Sequence, residues 1–391
     1  MTIDIVRADS EQAVADIIKA GQPIEIAGGG TKLSLGRPVQ ARRRLDLSAL
    51  SGISLYEPAE LIMTVRAATP LAQIEATLAQ QGQQLAFEPP DLSRLLGSGQ
   101  GAQTIGGIVA TNLSGPRRVS AGAVRDHVLG MRAVNGRGEI FRAGGRVVKN
   151  VTGYDVCKLL TGSYGTMAVF TEVTVKVLPA PETEETVVLY GLSASHAVTA
   201  MCQGLGSSAA LSGAAWVPGR EGESLTCLRL EGFGPSVEAR RRHLIERLAG
   251  GGEAAVWQAH TSRAWWRELR DVAPLTVSPD RAVWKISLPA TLAPGVLEKL
   301  KALGEYDAIL DWGGAVIWLS LPCGDDAQAV ALRALLPPEA FAMLVAAPAE
   351  IRARHPVFQP RPAAQMAIED RVRQSFDPDG LLNPGRMAPA V

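Results

Sequence analysis

Three consecutive glycines at 28–30 have the composition of a binding loop. They follow a predicted strand at 23–27 and precede a Thr-Lys-Leu-Ser stretch at 31–34. Glycines in such a loop let successive backbone N–H groups converge on a phosphate with no side chain in the way. Each N–H bond to a charged oxygen contributes about 1.5 to 3 kcal/mol, so several together could hold a pyrophosphate. The run predicts an anion-binding loop, with an ordinary glycine-rich loop as the alternative.

Two further clusters combine glycines with short polar side chains. One spans 104–115, and the other runs from 149–155 into 159–166. Segments of this kind can lie flat against a planar ligand and hydrogen-bond its edge. Because glycine loses much conformational entropy on folding, three such clusters are hard to explain as linkers. The first run also lacks the third glycine of G-x-G-x-x-G, which disfavours a Rossmann nicotinamide site.

The length and composition of the chain limit its possible domain organisation and binding partners. A chain of 391 residues predicts two domains, and 39 basic residues balance 39 acidic ones, so no global field attracts nucleic acid or an anionic membrane. A small ligand or a protein partner is favoured. The N-terminal seven residues contain an acid and no apolar core, which predicts a cytoplasmic protein without a signal peptide. The uncharged stretches at 95–116 and 191–219 are rich in Gly, Ser, Asn and Gln, so neither is interpreted as a membrane span.

The elements that must position these loops change in character near residue 180. Short strands separate the glycine clusters before it, a helix follows Thr69 as its cap and Pro70 as its first residue, and Asn135-Gly136 predicts a hairpin. After it, a βαββαβ pattern at 186–258 recurs at 283–346. The pattern is similar to two ferredoxin-like halves joined in one large antiparallel sheet.

The three glycine clusters in this order resemble the FAD-binding domain of the vanillyl-alcohol oxidase and p-cresol methylhydroxylase (PCMH) superfamily. The likeness covers 23–178 and returns at 376–386, in Phe-Asp-Pro-Asp-Gly-Leu-Leu-Asn-Pro-Gly-Arg. Within the superfamily, the stretches at 35–38, 115–118 and 124–130 most resemble the smaller flavin-binding subunits of bacterial glycolate oxidases. The resemblance implies an α+β fold. It would comprise a PCMH-type domain of two αβ subdomains at 1–180, a cap domain at 181–350 holding the large antiparallel sheet, and a segment at 351–391 that returns to the first domain.

The resemblance also implies roles for individual residues. The first loop would hold the FAD pyrophosphate, the second cluster would line the flavin and ribityl chain, and the third would close the other side. Relatives often carry Glu at position 164, so Tyr164 is given no role. Thr31 and Lys32 stand where some members carry an attaching His, which predicts non-covalent FAD. The predicted cofactor-binding residues are Gly28, Gly29, Gly30, Thr31, Lys32, Leu33, Thr104, Ile105, Gly106, Gly107, Thr111, Asn112, Gly115, Gly153, Tyr154, Asp155, Gly162, Ser163, Gly165 and Val169.

The residues needed for substrate chemistry are not evident. Oxidation of a 2-hydroxy acid requires a base, a cation for the carboxylate and a flavin to accept hydride. Relatives that act alone carry a metal-linked His pair and a Glu-His-Gly motif, and this sequence has neither. His355 is a candidate site residue, and Lys149 could lie near the flavin or on the surface. Arg117 and Arg118 could steer an anionic substrate, bind the FAD phosphates or form a surface ion pair. The catalytic residues stay unknown, and no metal site is predicted.

The leading hypothesis is an FAD-binding subunit of a glycolate oxidase. Four cysteines without a Cys-x-x-Cys pair exclude a conventional iron–sulfur cluster in this chain, so electrons would leave through a partner. The expected partners are a larger FAD-containing catalytic subunit and an iron–sulfur subunit, which could bring the complex to the inner membrane. The alternatives are a self-sufficient FAD-dependent dehydrogenase of D-lactate or another 2-hydroxy acid, and a non-catalytic structural subunit.

Overall fold

The computed structural model describes residues 3–99, 101–146, 153–219, 223–248, 253–275, 278, 280–324 and 327–389. By its internal contacts the chain divides into two units. The first comprises Met1–Leu113, Ala123–Ala180 and Pro360–Val391, and the second comprises Ser114–Gly122 and Pro181–Gln359. Two details differ from the sequence analysis, which placed 114–122 in the first domain and began the returning segment at 351.

Up to residue 180 the chain forms short strands and helices. In chain order they are β1 (Asp4–Arg7), α1 (Glu11–Lys19), β2 (Ile24–Ala27), β3 (Arg43–Asp46), β4 (Ile53–Glu57), β5 (Ile62–Arg66), α2 (Leu71–Ala79), β6 (Gln83–Gln84), α3 (Ser93–Leu96), α4 (Ile105–Thr111), α5 (Arg118–Ala121), α6 (Val124–His127), β7 (Val128–Asn135), β8 (Ile140–Gly144), α7 (Val156–Leu160), β9 (Ala168–Lys176) and β10 (Leu178–Pro179). The remainder contains β11 (Thr183–Tyr190), α8 (Ala194–Leu205), β12 (Gly213–Val217), β13 (Leu225–Gly232), α9 (Gly234–Arg247), β14 (Ala254–Trp257), α10 (Ala259–Arg270), β15 (Arg281–Ser287), α11 (Ala293–Leu300), β16 (Asp307–Asp311), β17 (Val316–Pro322), α12 (Ala327–Leu335), β18 (Phe341–Ala346), α13 (Ala349–Arg354) and α14 (Ala363–Phe376).

The first unit contains two αβ layers. A parallel sheet of order β1-β3-β2 packs on α1, and its buried core includes Val14, Ile18 and Leu45. An antiparallel sheet of order β4-β5-β9-β7-β8 packs on α2 and α4, and its core includes Ile74 and Ile108. These layers are the two predicted αβ subdomains.

Two local predictions in this unit have different outcomes. The Asn135-Gly136 hairpin is confirmed, because β7 and β8 pair antiparallel from Gly130↔Gly144 to Val134↔Ile140. The predicted cap at Thr69 is wrong. Pro70 occupies the N-cap position of α2, and the Thr69 hydroxyl donates to the carbonyls of Gly52 and Arg66 instead.

The second unit holds an eight-stranded antiparallel sheet of order β14-β11-β13-β12-β16-β17-β15-β18. Each half of this order is one βαββαβ repeat, and the second half mirrors the first. The halves join through β12 and β16, where Trp216 lies opposite Leu310. Helices α8, α9, α11 and α12 contribute to one core with the buried Trp284. The predicted duplication and the α+β class are therefore confirmed. Within the described residues, no helix combines the length and apolar character needed to cross a membrane.

Candidate functional site

The glycine loop at 28–32 presents a row of backbone donors. It begins where β2 ends, and within the described residues the N–H groups of positions 28 to 32 donate to no protein acceptor. The next N–H, of Leu33, turns back to the carbonyl of Gly30, which has a positive φ of 77°. Successive backbone N–H groups of this kind form a concave anion site. The local backbone therefore fits a diphosphate, as the residue types predicted.

Close approach of two backbones requires the glycines of this loop. A Cβ atom on Gly29 would lie 1.7 Å from the carbonyl oxygen of Ala102, and one on Gly101 would lie 2.0 Å from the carbonyl oxygen of Gly29. A Cβ on Gly28 would lie 2.7 Å from the Thr104 hydroxyl. Real Cβ atoms do not approach oxygen this closely, so a side chain at Gly29 or Gly101 would force the two segments apart.

Helix α4 forms a second wall of the site. Thr104 is its N-cap residue, and the Thr104 hydroxyl accepts from the N–H of Gly107 at 3.5 Å. Gly106 allows the helix to approach Ala67, the residue that follows β5, since a Cβ there would lie 2.8 Å from the carbonyl oxygen of Ala67. The Thr111 hydroxyl donates to the carbonyl of Gly107 within the helix, at 2.8 Å. The first turn of α4 thus places small residues against the glycine loop.

The C-terminal segment completes the site through Asn383. Its side-chain oxygen accepts from the N–H of Ile26, and its side-chain nitrogen donates to the carbonyl of Tyr164, each at 2.8 Å. Gly165, with a positive φ of 67°, leaves room for this amide, because a Cβ there would lie 2.7 Å from the Asn383 nitrogen. Asn383 therefore ties strand β2 to the turn that precedes β9.

Arg386 fixes the far end of the glycine loop. Its guanidinium is buried and donates to the carbonyls of Leu33 at 2.5 Å and Leu35 at 2.9 Å. It also pairs with Glu25 at 3.1 Å, and Glu25 is shared with Arg44 at 2.7 Å. A guanidinium suits this position because its planar fork can donate to several acceptors at once.

The electrostatics of the site favour an anion. Burial lowers the pKa of Lys32 to about 8, although the field of Asp91 acts in the opposite direction. The Lys32 ammonium donates to the Gln103 side chain at 3.1 Å. Burial also raises the pKa of Tyr164 far above its usual value, despite the nearby Arg386, so this phenol keeps its proton at neutral pH. A bound phosphate would raise the pKa of Lys32 by stabilising its charged form.

These elements line one cleft, which contains eleven of the twenty predicted residues. The eleven are Gly28, Gly29, Gly30, Thr31, Lys32, Leu33, Thr104, Gly106, Gly107, Thr111 and Gly165.

Nine predicted residues do not line this cleft, for identifiable reasons. The apolar side chains of Ile105 and Val169 are buried in the two cores of the first unit. Asn112 ends α4 with a φ of 51°, and its side chain accepts from the N–H of Arg125. Gly115 lies in the second unit, where its carbonyl accepts from the Trp312 indole. A cofactor role for these four, and for the five below, stays a prediction.

The other five predicted residues that do not line the cleft belong to the third glycine cluster, at 149–155 and 159–166. The Tyr154 side chain is 96% exposed, the neighbouring Gly153 is exposed, and Asp155 caps α7 by accepting from the N–H of Lys158. The N–H groups of Gly162 and Ser163 donate to the carbonyls of Val109 and Leu160.

Sequence reasoning missed several lining residues. Tyr164 was left without a role, although it follows Ser163 directly. The other missed lining residues are Ile26, Ala27, Leu35, Leu47, Ala67, Ala68, Ala110, Ala168, Phe170, Asn383 and Arg386. The last two belong to the closing motif at 376–386, which was the available signal.

The other candidate residues from the sequence do not lie together in one site. Lys149 lies outside the described residues. Arg117 forms a bidentate pair with the partly buried Glu231 in the second unit, so it is not a surface ion pair. His355 follows α13 in the second unit, where its N–H donates to the carbonyl of Ile351. Among the residues that the structure describes, no group of His, Cys, Asp and Glu side chains could hold a metal ion.

Comparisons with known proteins agree with the geometry of the cleft. A family model described as an FAD binding domain matches residues 4–144. The glycolate oxidase subunit GlcE of Escherichia coli (strain K12) is 36% identical over 377 residues, which are 96% of this chain and 94% of that protein. The glycolate oxidase subunit GlcD of Bacillus subtilis (strain 168) is 34% identical over 165 residues, 42% of this chain and 33% of that protein.

A solved structure shows the same architecture. The chain of 4-ethylphenol oxidase from Gulosibacter chungangensis superposes with a TM-score of 0.73, covering 98% of this chain and 89% of that one. Sequence identity in that superposition is 13%, so the likeness concerns the fold.

Proposed function

Because this chain belongs to the FAD-binding family of glycolate oxidase subunit GlcE, we propose that it is the FAD-binding subunit of a glycolate oxidase. The predicted cofactor, non-covalent FAD, is confirmed by the match to the FAD binding domain. The observation that carries the proposal is the row of donor N–H groups at 28–32 in a chain similar to GlcE along nearly its whole length. The bound flavin supplies a hydride acceptor for oxidation of a CH–OH group.

The composition of the cleft supports a role within a complex. Among the described residues, its ionisable side chains are Lys32, Tyr164 and Arg386, with no imidazole or carboxylate. Arg386 is occupied by two carbonyls and Glu25, and Tyr164 keeps its proton at neutral pH. Lys32 belongs to the glycine loop, and its ammonium donates to the Gln103 side chain. A base for the hydroxyl proton of a 2-hydroxy acid is therefore expected from a partner.

We propose that this partner is a larger FAD-containing subunit that oxidises glycolate to glyoxylate. An iron–sulfur subunit would take the electrons, because no Cys-x-x-Cys pair exists in this chain. The flavin bound here would then relay electrons or stabilise the assembly. Localisation in the cytoplasm, at the inner membrane through these partners, is part of the same proposal.

Anaerobic reduction of the flavin tests this role. We expect glycolate to bleach the flavin of the purified lone chain at least about 100-fold more slowly than that of the co-expressed complex. This is the smallest factor that general acid–base catalysis usually contributes. Absorbance in the flavin bands measures the rate, and a flavin-to-iron count on the complex after size exclusion identifies the partners. Dithionite, added to both samples as a control, should reduce both flavins equally.

Other outcomes would favour the alternatives. Equal rates for the lone chain and the complex would contradict the proposal and favour a self-sufficient dehydrogenase, which an assay with D-lactate and an artificial acceptor would then identify. A complex that purifies without flavin in this chain would favour a purely structural subunit.

A substitution at Lys32 tests the diphosphate site. We expect Lys32→Met to weaken FAD binding by about 10- to 150-fold at pH 7, because a charge-assisted bond to phosphate contributes about 1.5 to 3 kcal/mol. The charged ammonium binds the anion, so wild-type affinity should be highest below pH 8 and should fall above it, where the pKa of Lys32 lies. The variant should lack this pH dependence. Quenching of flavin fluorescence on titration with apoprotein measures both effects, and wild-type affinity that rises with pH would contradict the assignment.

A further inference from the structure

The second unit contains an open pocket of about 450 Å³ in which two cations meet one aromatic ring. Lys285 on β15, Trp312 after β16 and Arg118 on α5 line it, together with Ser287 and Leu288. Of these three side chains, only Arg118 was a candidate from the sequence. The proposal developed from this pocket goes beyond the function above, because it concerns a ligand site in the other unit of the chain.

Lys285 has an unusual environment for an ammonium. Its Nζ atom lies 4.6 Å from the ring centroid of Trp312 and 5.3 Å from that of Trp318, which is its partner across β15 and β17. Within the described residues it forms no hydrogen bond and no ion pair. Taking an ammonium out of water without an anion is unfavourable, and contacts with indole rings compensate only in part. The side chain is therefore charged, partly buried and available to a ligand.

Arg118 brings a second cation to the same ring. Its guanidinium carbon lies 4.5 Å from the Trp312 centroid. The neighbouring residue Arg117 holds this segment in place through its bidentate bonds to Glu231, at 2.8 and 2.7 Å. A bidentate, partly buried pair of this kind is well suited to fix a short segment. Arg118 is consequently presented to the pocket by an anchored backbone.

The backbone of Trp312 is strained in a way that fixes the ring. Its φ is 54°, a left-handed value that bulky residues rarely adopt. The Trp312 N–H donates to the Asp311 carboxylate at 2.7 Å, and its indole N–H donates to the carbonyl of Gly115 at 3.1 Å. Backbone strain of this kind costs about 1 to 3 kcal/mol and persists where the surroundings hold it, typically at ligand sites.

The charges around Lys285 leave room for an anion. Burial is the larger cause that lowers the pKa of Lys285 to about 8, and the charge of Arg118 lowers it further. Among the described residues, the charged groups that act on it are Arg118 and Asp311, and the Asp311 carboxylate raises the pKa. An anion between the two cations would relieve their repulsion.

We propose that the pocket of Lys285, Arg118 and Trp312 binds a small carboxylate. A planar carboxylate matches the guanidinium fork of Arg118 while Lys285 supplies a point charge. The carbon atoms of the ligand would lie against the Trp312 ring and Leu288, and the Ser287 hydroxyl is available to a polar substituent. These apolar walls suit an organic acid better than a fully hydrated inorganic anion.

Calorimetric titration of the FAD-loaded full-length chain with glycolate tests the site at pH 7. We expect Lys285→Met to weaken glycolate binding at least 10-fold, and Lys285→Arg to restore it to within about 3-fold. Lys299→Met, an exposed lysine on α11 of the same unit, should leave binding unchanged. Inorganic phosphate should bind at least 10-fold more weakly than glycolate. If Lys285→Met does not fold by circular dichroism, the exposed Arg118→Met takes its place with the same expected loss.

The pH profile provides a second readout. Glycolate affinity should be constant below pH 8 and should fall by up to about tenfold per pH unit above it, as Lys285 loses its proton, whereas Lys285→Arg should show no such fall. Absence of glycolate binding, binding unaffected by the variants, equal affinity for phosphate, or a flat wild-type profile would each overturn the proposal. These are binding measurements, so they are independent of the flavin-reduction experiment.

Discussion

Replacing Gly29 with alanine is expected to reduce FAD affinity by at least about 100-fold. The new Cβ atom would lie 1.7 Å from the Ala102 carbonyl oxygen, so the loop at 28–32 must move. Loss of two of its N–H bonds to a diphosphate would remove about 3 to 6 kcal/mol. This corresponds to more than two orders of magnitude in affinity. Flavin fluorescence during titration of the apoprotein measures the dissociation constant.

Two matched variants separate this effect from a general loss of stability. Gly101→Ala attacks the same contact from the opposite side, with its Cβ 2.0 Å from the Gly29 carbonyl, and should cause a similar loss. Gly145→Ala, in the same unit, places its Cβ in open space without a positive φ and should bind FAD as the wild type does. Circular dichroism checks that each variant is folded. Unchanged FAD affinity in a folded Gly29→Ala protein would show that the loop does not hold the diphosphate.

Substitution of Arg386 is expected to have the largest effect on stability. Arg386→Met leaves the carbonyls of Leu33 and Leu35 without their donor, and Glu25 keeps only Arg44. Removal of one partner from a buried charged network costs about 3 to 5 kcal/mol. We expect a decrease of this size in the free energy of unfolding by urea. FAD affinity should decrease as well, because Arg386 holds the end of the glycine loop.

Two control variants show whether the effect depends on the guanidinium group and on its burial. Arg386→Lys keeps the charge but lacks the planar fork, so it should recover only part of the stability. Arg7→Met removes a pair with Asp46 in which the Arg7 side chain is 67% exposed, and should change the free energy of unfolding by less than about 1 kcal/mol. If Arg386→Met lowered the free energy of unfolding by less than about 1 kcal/mol, the buried bonds of Arg386 would not stabilise the protein as proposed.

Much of the fold follows from local sequence. The hairpin predicted from Asn135-Gly136 forms there because the Asn135 side chain accepts from the N–H groups of Arg137 and Glu139, and Gly138 adopts the positive φ of 70° that the turn needs. The repeated βαββαβ pattern is visible because apolar periodicity is a local property of each element. By contrast, the cap assigned to Thr69 was wrong, since its hydroxyl finds acceptors at Gly52 and Arg66 that sequence proximity to α2 did not reveal.

The site was predictable to the extent that its chemistry requires glycine. Converging N–H groups and close backbone contacts exclude side chains, so positions 28–30, 106, 107 and 165 carry a visible signal. The hydrogen bonds made by the side chains of Arg386 and Asn383 could not be predicted in the same way. Each connects residues separated by more than 200 positions, and such contacts exist only when the chain has folded.

The sequence by itself predicted a glycine-lined anion site in the first half of the chain, because glycines let backbone donors converge without Cβ atoms in the way. Tertiary structure decided which of the predicted residues line that cleft. Ile105 and Val169, for example, are buried in the two hydrophobic cores of the first unit instead. Tertiary structure also placed residues 114–122 in the second unit. Arg118 in this segment therefore lies, with Lys285, over the Trp312 ring. Those three side chains come from separate elements, so only the folded chain places their charges around one ring.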